Sequence, residues 1–174
     1  MPSLRPRFLP LLAALSCSAP AGVARAYEDQ YTLGLGAGYA QAVSNSLPRH
    51  GAQFDVNGSV GLGPVFSLRG RLSYAFHPAD QPLNTGLVGA ELLYLIDIVE
   101  LVPYFGVGLD GVGRARSSNL ELDAAAHLVV GIDYLISRKM ILGLDLRSHL
   151  LFTALDRDPF YVSLIVSASW IFER

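Results

Sequence analysis

Apolar side chains recur at every second position through several segments of the chain, and this is the period of a β-strand. The last segment shows the pattern most completely. From Phe160 to Phe172 every even-numbered position is apolar, while the odd-numbered positions carry one tyrosine, three serines and two isoleucines. An apolar face with aromatic residues at both ends, backed by a more polar face, is typical of a strand in a transmembrane barrel.

The same alternation predicts seven further strands, separated by short turn-like breaks. They span approximately residues 30–41, 52–62, 65–77, 85–97, 101–113, 119–134 and 140–152. Eight strands of roughly eleven residues fit a bacterial transmembrane barrel, whose crossings need about 9–11 tilted residues. No unpaired sheet edge is stable in lipid, so the sheet must close on itself. We therefore predict an all-β fold, a closed antiparallel up-and-down barrel of eight strands.

The stretch 87–109 is apolar enough to suggest a transmembrane helix instead. Glu91 and Glu100 would then lie within the span, and Pro103 would break it. Charged and helix-breaking residues are unfavourable in such a position. We favour two strands here.

The positions of the aromatic residues provide an independent test of the barrel. If the first strand starts on the periplasmic side, outward-facing aromatics fall at two levels and form the belts expected at the membrane interfaces. The periplasmic belt would contain Tyr31, Phe66, Tyr94, Tyr134, Trp170 and Phe172. The outer belt would contain Tyr39, Phe54, Tyr74, Phe76, Phe152 and Phe160.

The N-terminal segment has the features of a cleaved signal peptide. Arg5 and Arg7 precede an apolar stretch at 8–16, and Ala24-Arg25-Ala26 provides a small-residue cleavage site. We expect residues 1–26 to be the signal peptide and 27–174 the barrel domain. The alternatives are an uncleaved membrane anchor and a lipoprotein cleavage site at Cys17, the only cysteine.

Composition agrees with an exported membrane protein. The hydrophobic fraction of 51% and the mean hydropathy of +0.37 are high for a soluble chain. The predicted signal peptide holds three of the thirteen basic residues and none of the fifteen acidic ones, so the mature chain is net acidic. There is no basic patch for nucleic acid.

Several runs in the predicted strands resemble the small eight-stranded outer-membrane barrels of the OmpA/OmpX type. The runs are Pro103-Tyr-Phe-Gly-Val-Gly108, Gly131-Ile-Asp-Tyr134, Gly143-Leu-Asp-Leu-Arg147 and the alternation that ends at Phe172. The resemblance implies a monomer in the Gram-negative outer membrane that contacts lipid and lipopolysaccharide. It also implies insertion by the barrel-assembly machinery through the C-terminal strand. Such proteins usually end on the terminal aromatic, whereas Glu173 and Arg174 follow it here.

The inward-facing positions are rich in charge. We predict a lumen network of Arg69, Arg71, Glu91, Asp123, His127, Asp145, Arg147 and His149. Asp55, Asp110, Glu121 and Asp133 also face inward. Enclosed charges must be compensated, so we expect cross-strand pairs that fill the lumen. Turn positions predict that Arg71 lies beside Glu91 and Arg147 beside His127.

This interpretation predicts a structural envelope protein without catalysis, metal or cofactor. The alternatives are a narrow, porin-like channel for small solutes, an enzyme that modifies lipid A, a metal site formed by His77, His149 and Asp55, and a soluble lipocalin-like barrel. Lipid A deacylases of this size resemble serine hydrolases with a His-x-Ser motif, and no histidine here has serine two residues on. A lipocalin needs Gly-x-Trp near the mature N-terminus, but the only tryptophan is Trp170.

The predicted outer loops are short and mildly polar. One of them contains Arg114 and Arg116, which could contact the phosphates of lipopolysaccharide. The simpler interpretation is that these loops only close hairpins.

Overall fold

The chain forms a closed antiparallel β-barrel in which each strand pairs with its neighbours in sequence and the first pairs with the last. The computed structural model describes residues 30–43, 50–78, 82–96, 100–116, 119–156 and 159–173. Its strands are β1 (Gln30–Val43), β2 (His50–Gly61), β3 (Phe66–His77), β4 (Leu83–Leu95), β5 (Leu101–Arg116), β6 (Asn119–Ser137), β7 (Met140–Leu151) and β8 (Phe160–Glu173). The eight-stranded barrel predicted from the alternation is confirmed. The predicted signal peptide lies outside the described residues.

Within 87–109, the alternative helix, residues 87–95 belong to β4 and residues 101–109 to β5. Within the part of the chain that the structure describes, no helix is long and apolar enough to cross a membrane. Glu91 lies in β4 with its side chain in the interior, away from lipid, and Pro103 is the third residue of β5.

The two ends of the barrel differ. At one end lie both termini of the barrel and the connections β2–β3, β4–β5 and β6–β7, and we call it the turn end. At the other lie the connections β1–β2, β3–β4, β5–β6 and β7–β8, and we call it the loop end.

The outer surface is apolar because the alternation places those side chains there. Leu144 in β7, for example, is 44% exposed, while its neighbours Gly143 and Asp145 are buried. All twelve aromatic residues assigned to belts are on this surface. The rings of Phe66 and Tyr94 lie 5.5 Å apart near the turn end, and Phe105 adds a third ring 5.2 Å from Tyr94.

The lumen is layered along the barrel axis. At the loop end, a loop-end apolar layer consists of Ala40, Ala42, Ala75, Leu87, Val112, Ala125, Leu151, Ala154 and Tyr161. At the turn end, a turn-end apolar layer consists of Leu93, Leu95, Val102, Tyr104, Val129, Ile141 and Ile171. Between them lie buried charged side chains from β2 to β7. Most of the buried charges therefore have apolar side chains above and below them, while Arg114 and Asp123 lie at the level of the loop-end layer.

The wall formed by β1 and β8 has little charge on its inner side. Ser163, Ser167 and Ser169 of β8 are buried, and Ile165 is fully buried against Gly36 of β1. Glycine at that position leaves the room that the isoleucine fills. The charged groups thus concentrate on the opposite wall.

Candidate functional site in the barrel lumen

Glu91 of β4 lies at the centre of the charged layer. Its carboxylate accepts from Arg147 at 3.3 Å, His127 Nε2 lies 2.8 Å from it, and Arg69 lies 3.5 Å away. Glu91 is 1% exposed and Arg147 is fully buried. A carboxylate in such a place is stable only with partners of opposite charge, which Arg69 of β3 and Arg147 of β7 supply.

Asp110 of β5 is a second centre on the loop side of Glu91. One carboxylate oxygen, Oδ2, lies 2.6 Å from His127 Nδ1 and 2.9 Å from His149 Nδ1. The other, Oδ1, accepts from Arg71 at 3.4 Å. His127 therefore lies between two carboxylates, with one on each ring nitrogen.

Arg69 links this cluster to the turn end. Its guanidinium donates to the hydroxyl of Tyr104 at 3.3 Å and lies 4.9 Å from the centre of that ring. The Tyr104 hydroxyl in turn donates to Asp145 at 3.2 Å, and Asp145 also pairs with Arg147. Asp133 lies 3.8 Å from Arg69.

Asp55 of β2 completes the layer on the far side of Arg71. It accepts from the Ser73 hydroxyl at 2.6 Å and from the Asn57 amide at 3.2 Å, and Arg71 lies 3.8 Å away. The charged layer, defined as Asp55, Arg69, Arg71, Glu91, Asp110, His127, Asp133, Asp145, Arg147 and His149, is one connected network of hydrogen bonds and ion pairs.

Two inward glycines make the close packing of this layer possible. A Cβ at Gly108 would overlap the imidazole of His127, and a Cβ at Gly131 would overlap the ring of Tyr104. Both lie on the strand next to the side chain that they accommodate, opposite it in register. The absence of a side chain lets these rings lie flat against the barrel wall.

Seven of the eight side chains predicted for the lumen network lie in the charged layer. The eighth, Asp123, lies near the loop end, where Arg114 donates to it at 2.6 and 2.9 Å. Arg114 is only 6% exposed. It therefore faces the lumen and binds a carboxylate, which contradicts the interpretation that it reaches lipopolysaccharide.

The predicted partners within the network were wrong in two places. Arg69, rather than Arg71, is opposite Glu91, because the register between β3 and β4 is centred on position 80 instead of 81. His149, rather than Arg147, is opposite His127, and Arg147 is opposite Val129. Each error is a shift of two residues, which leaves every side chain on its predicted face.

Sequence reasoning placed Asp55, Asp110 and Asp133 inside the barrel but did not include them in the network. It also missed Tyr104 as a polar partner. The useful signal was present: Asp110 is opposite Gly89, whose Cβ would overlap the aspartate side chain. A glycine paired with an inward-facing charged residue indicates that the charged side chain lies over the neighbouring strand, in the space that the glycine leaves open.

The metal site suggested from His77, His149 and Asp55 does not assemble. His77 packs edge-on against the Tyr161 ring, 5.9 Å between centroids, and Asp55 bonds Ser73 and Asn57. His149 instead joins His127 and Asp110, and the ligand atoms of these three residues lie within 4.8 Å of one another.

Ser148 and His149 lie on opposite faces of β7, Ser148 exposed and His149 buried. A serine so placed cannot be activated by the neighbouring imidazole, since nucleophile and base must be within hydrogen-bond reach.

No family model matches the sequence, and comparison with curated proteins gives no match. Comparison with solved structures finds the same fold. Neisserial surface protein A superposes with a TM-score of 0.74 at 14% identity, over 83% of this chain and 98% of that one. OprG from Pseudomonas aeruginosa superposes with a TM-score of 0.63 at 7% identity, over 85% and 98%.

An enzyme also shares this architecture. The outer membrane enzyme PagL superposes with a TM-score of 0.50 at 11% identity, over 79% of this chain and 97% of that one. The fold alone therefore does not separate structural, channel and catalytic roles. Identities this low establish architecture only, and by that measure the chain has the fold of the small eight-stranded outer-membrane β-barrels.

Proposed function

We propose that the protein is an integral outer-membrane barrel with a lumen filled by its own side chains, and that its role in the envelope is structural rather than catalytic. The observation that carries this proposal is the charged layer enclosed between two apolar layers. Ten charged or imidazole side chains from β2 to β7 bind one another across the lumen instead of lining an open passage.

The size of a cavity inside the lumen supports close packing in the loop half. A cavity of about 10 Å³ lies in the loop half, bordered by Thr85, His149 and Tyr161. Space of that size accommodates about one water molecule. A hydrated ion that crossed would have to displace the apolar layers and separate ion pairs such as Glu91–Arg147.

The outer surface supports the membrane placement and the partners. Its leucines, valines and aromatics would contact lipid and the acyl chains of lipopolysaccharide, with the termini on the periplasmic side. The C-terminal strand, which ends its apolar face on Trp170 and Phe172, would be the segment that the barrel-assembly machinery binds. Pairing of β1 with β8 leaves no free edge for another subunit, which supports a monomer.

Planar-bilayer recording tests the proposal. Purified protein inserted into the bilayer should give no reproducible single-channel steps. The charge-neutral double variant Glu91→Ser/Arg147→Ser removes an ion pair from the charged layer, so it should raise the ion current. The matched double variant Arg114→Ser/Asp123→Ser removes a pair from the loop end and should raise it less.

Well-defined steps from the unmodified protein would overturn the filled-lumen proposal and favour the alternative, a narrow channel for small solutes. The specific observation that favours a channel is the composition of the loop-end apolar layer. Five of its nine members are alanines, which fill the lumen less completely than the leucines and isoleucines of the turn-end layer.

A further inference from the structure

Three potential metal ligands converge inside the charged layer. Asp110 Oδ2 lies 2.6 Å from His127 Nδ1 and 2.9 Å from His149 Nδ1, and the three residues are at most 5% exposed. They come from three consecutive strands, β5, β6 and β7. We propose that Asp110, His127 and His149 bind a divalent transition-metal ion such as Zn²⁺ in the lumen.

The donor atoms suit that class of ion. Two imidazole nitrogens and a carboxylate oxygen are common ligands of Zn²⁺, with bonds of about 2.0–2.2 Å. Tetrahedral geometry at these bond lengths places ligand atoms roughly 3.3 Å apart. The two contacts to Asp110 would therefore open by less than 1 Å. The two histidine nitrogens, which lie within 4.8 Å of each other, would move closer together, and the fourth position would take water. The ion would take the place of the N–H proton between each imidazole and the aspartate, and each neutral imidazole would then carry its single proton on Nε2.

Glu91 is placed to accept a hydrogen bond from the outer ring nitrogen of a proposed metal ligand. Its Oε2 lies 2.8 Å from His127 Nε2, the ring nitrogen opposite the proposed metal ligand. Histidines that bind metals usually donate the remaining N–H to a carboxylate, which fixes the tautomer. A neutral imidazole has only one N–H, so both carboxylate contacts of His127 are satisfied only if a second proton or a cation is present. With a metal on Nδ1, the single proton goes to Nε2 and is donated to Glu91.

The charge of the layer also favours a divalent cation. Among its members are five carboxylates, Asp55, Glu91, Asp110, Asp133 and Asp145, and three guanidinium groups, Arg69, Arg71 and Arg147. With all five carboxylates ionised and both histidines neutral, two negative charges are in excess, and one divalent ion would neutralise them. Arg71 opposes cation binding, but it contacts Oδ1 of Asp110 and leaves Oδ2 to the two histidines.

Access to the site is less obstructed from the loop end than from the turn end. The small cavity of the loop half borders His149, and the loop-end apolar layer is rich in alanine. The turn-end layer is built from larger side chains, and its Leu93 and Leu95 follow Glu91 on the inner face of β4. A metal could therefore enter the folded barrel slowly or bind during folding.

Metal binding to the purified full-length barrel tests the proposal without any assay of function. Protein treated with chelator in detergent is supplied with Co²⁺ or Zn²⁺ alone, both after folding and during refolding. One equivalent of Zn²⁺ should be retained after dialysis in at least one arm, and Co²⁺ should give the visible absorption of a low-symmetry site with nitrogen ligands. Heat-modifiable migration in gels reports whether each variant is folded.

Variants locate the site. His127→Gln, His149→Gln and the nearly isosteric Asp110→Asn should each lose the retained metal while remaining folded. Glu91→Gln should weaken binding by about 10–100-fold, because it removes only the outer carboxylate. His77→Gln is the matched control, since His77 is an equally buried lumen histidine outside the cluster, and it should bind as the parent does.

Two results would overturn the proposal. One is a folded parent protein that retains no metal in either arm, in which case protons on the two histidines provide the compensating charge. The other is metal retention that persists in the folded Asp110→Asn and His149→Gln variants or disappears in His77→Gln. The inference does not depend on whether the lumen conducts, so conductance and metal binding can fail independently.

Discussion

The outer surface and the lumen of this barrel are built by the same strands, yet they are stabilised in different ways. On the outside, neighbouring residues are largely interchangeable apolar groups, such as Leu142, Leu144 and Leu146 along β7. On the inside, Asp145, Arg147 and His149 of the same strand each have particular partners on other strands. A position on the outer surface needs only the right polarity, whereas a position in the lumen needs the right partner.

Energetic consequences follow from that difference. The cost of a charged substitution on the outer face should depend on its distance from the membrane midplane, because the free energy of transferring a charge into lipid depends on depth. Stability of the lumen should depend on whether an ion pair is left incomplete. Substitutions on the two faces should therefore differ in size and in their sensitivity to position.

The largest effect is expected from breaking the centre of the charged layer. Glu91→Ala leaves Arg69, Arg147 and His127 without their shared carboxylate. Removing one partner from a buried ion pair typically destabilises a protein by about 3–5 kcal/mol. We expect a loss of that size in the free energy of unfolding, measured by urea titration of chelator-treated protein in lipid vesicles.

Glu121→Ala is the control for that measurement. Glu121 also lies on the inward side of its strand and contacts an arginine, Arg114, at 3.4 Å, but half of its side chain is exposed. Its removal should cost less than about 1 kcal/mol. Equal losses in the two variants would mean that water reaches Glu91 freely, contrary to a filled lumen.

A charge on the outer face should have the next largest effect. Leu144→Arg places a guanidinium on the lipid-facing side of the middle of β7, and we expect it to destabilise the barrel by about 2–4 kcal/mol. Leu120→Arg makes the same change at the loop end of β6, where the expected cost falls to about 0–1 kcal/mol. Unfolding titrations in vesicles compare the two. Equal costs would show that the outer surface does not span a membrane at the proposed depth.

The contrast between the faces also explains what the sequence could predict. Outward positions follow from polarity alone, so the alternation identified the strands, their number and the side that Leu144 or Trp170 faces. Partners in the lumen depend on register, and register depends on the connections between strands. A one-residue error in the centre of the β3–β4 connection paired Glu91 with Arg71 in place of Arg69.

The cluster of Asp110, His127 and His149 was beyond sequence reasoning for a related reason. His127 and His149 become neighbours only when β6 and β7 pair in the register seen here. Asp110 lies on a third strand and reaches both rings by leaning across the lumen, where Gly108 leaves room for His127. Contacts of this kind depend on the curvature of the closed barrel, which a strand-by-strand pattern does not contain.

The smallest effects are expected for two tyrosines on opposite faces of the barrel, each of which donates a hydrogen bond to a side-chain amide oxygen. Tyr161 faces the lumen and donates to Gln53 Oε1 at 3.0 Å, while Tyr74 faces outward and donates to Asn84 Oδ1 at 2.6 Å. Tyr161→Phe leaves a buried amide oxygen without its donor and should cost about 1–3 kcal/mol. Tyr74→Phe leaves an exposed acceptor that water or lipid headgroups can satisfy, so we expect a change within about 0.5 kcal/mol. Both are measured as differences in the midpoint of urea unfolding at constant slope. If Tyr74→Phe were the more destabilising change, polar contacts on the outer surface would be as specific as those inside, and the distinction between the two faces would fail.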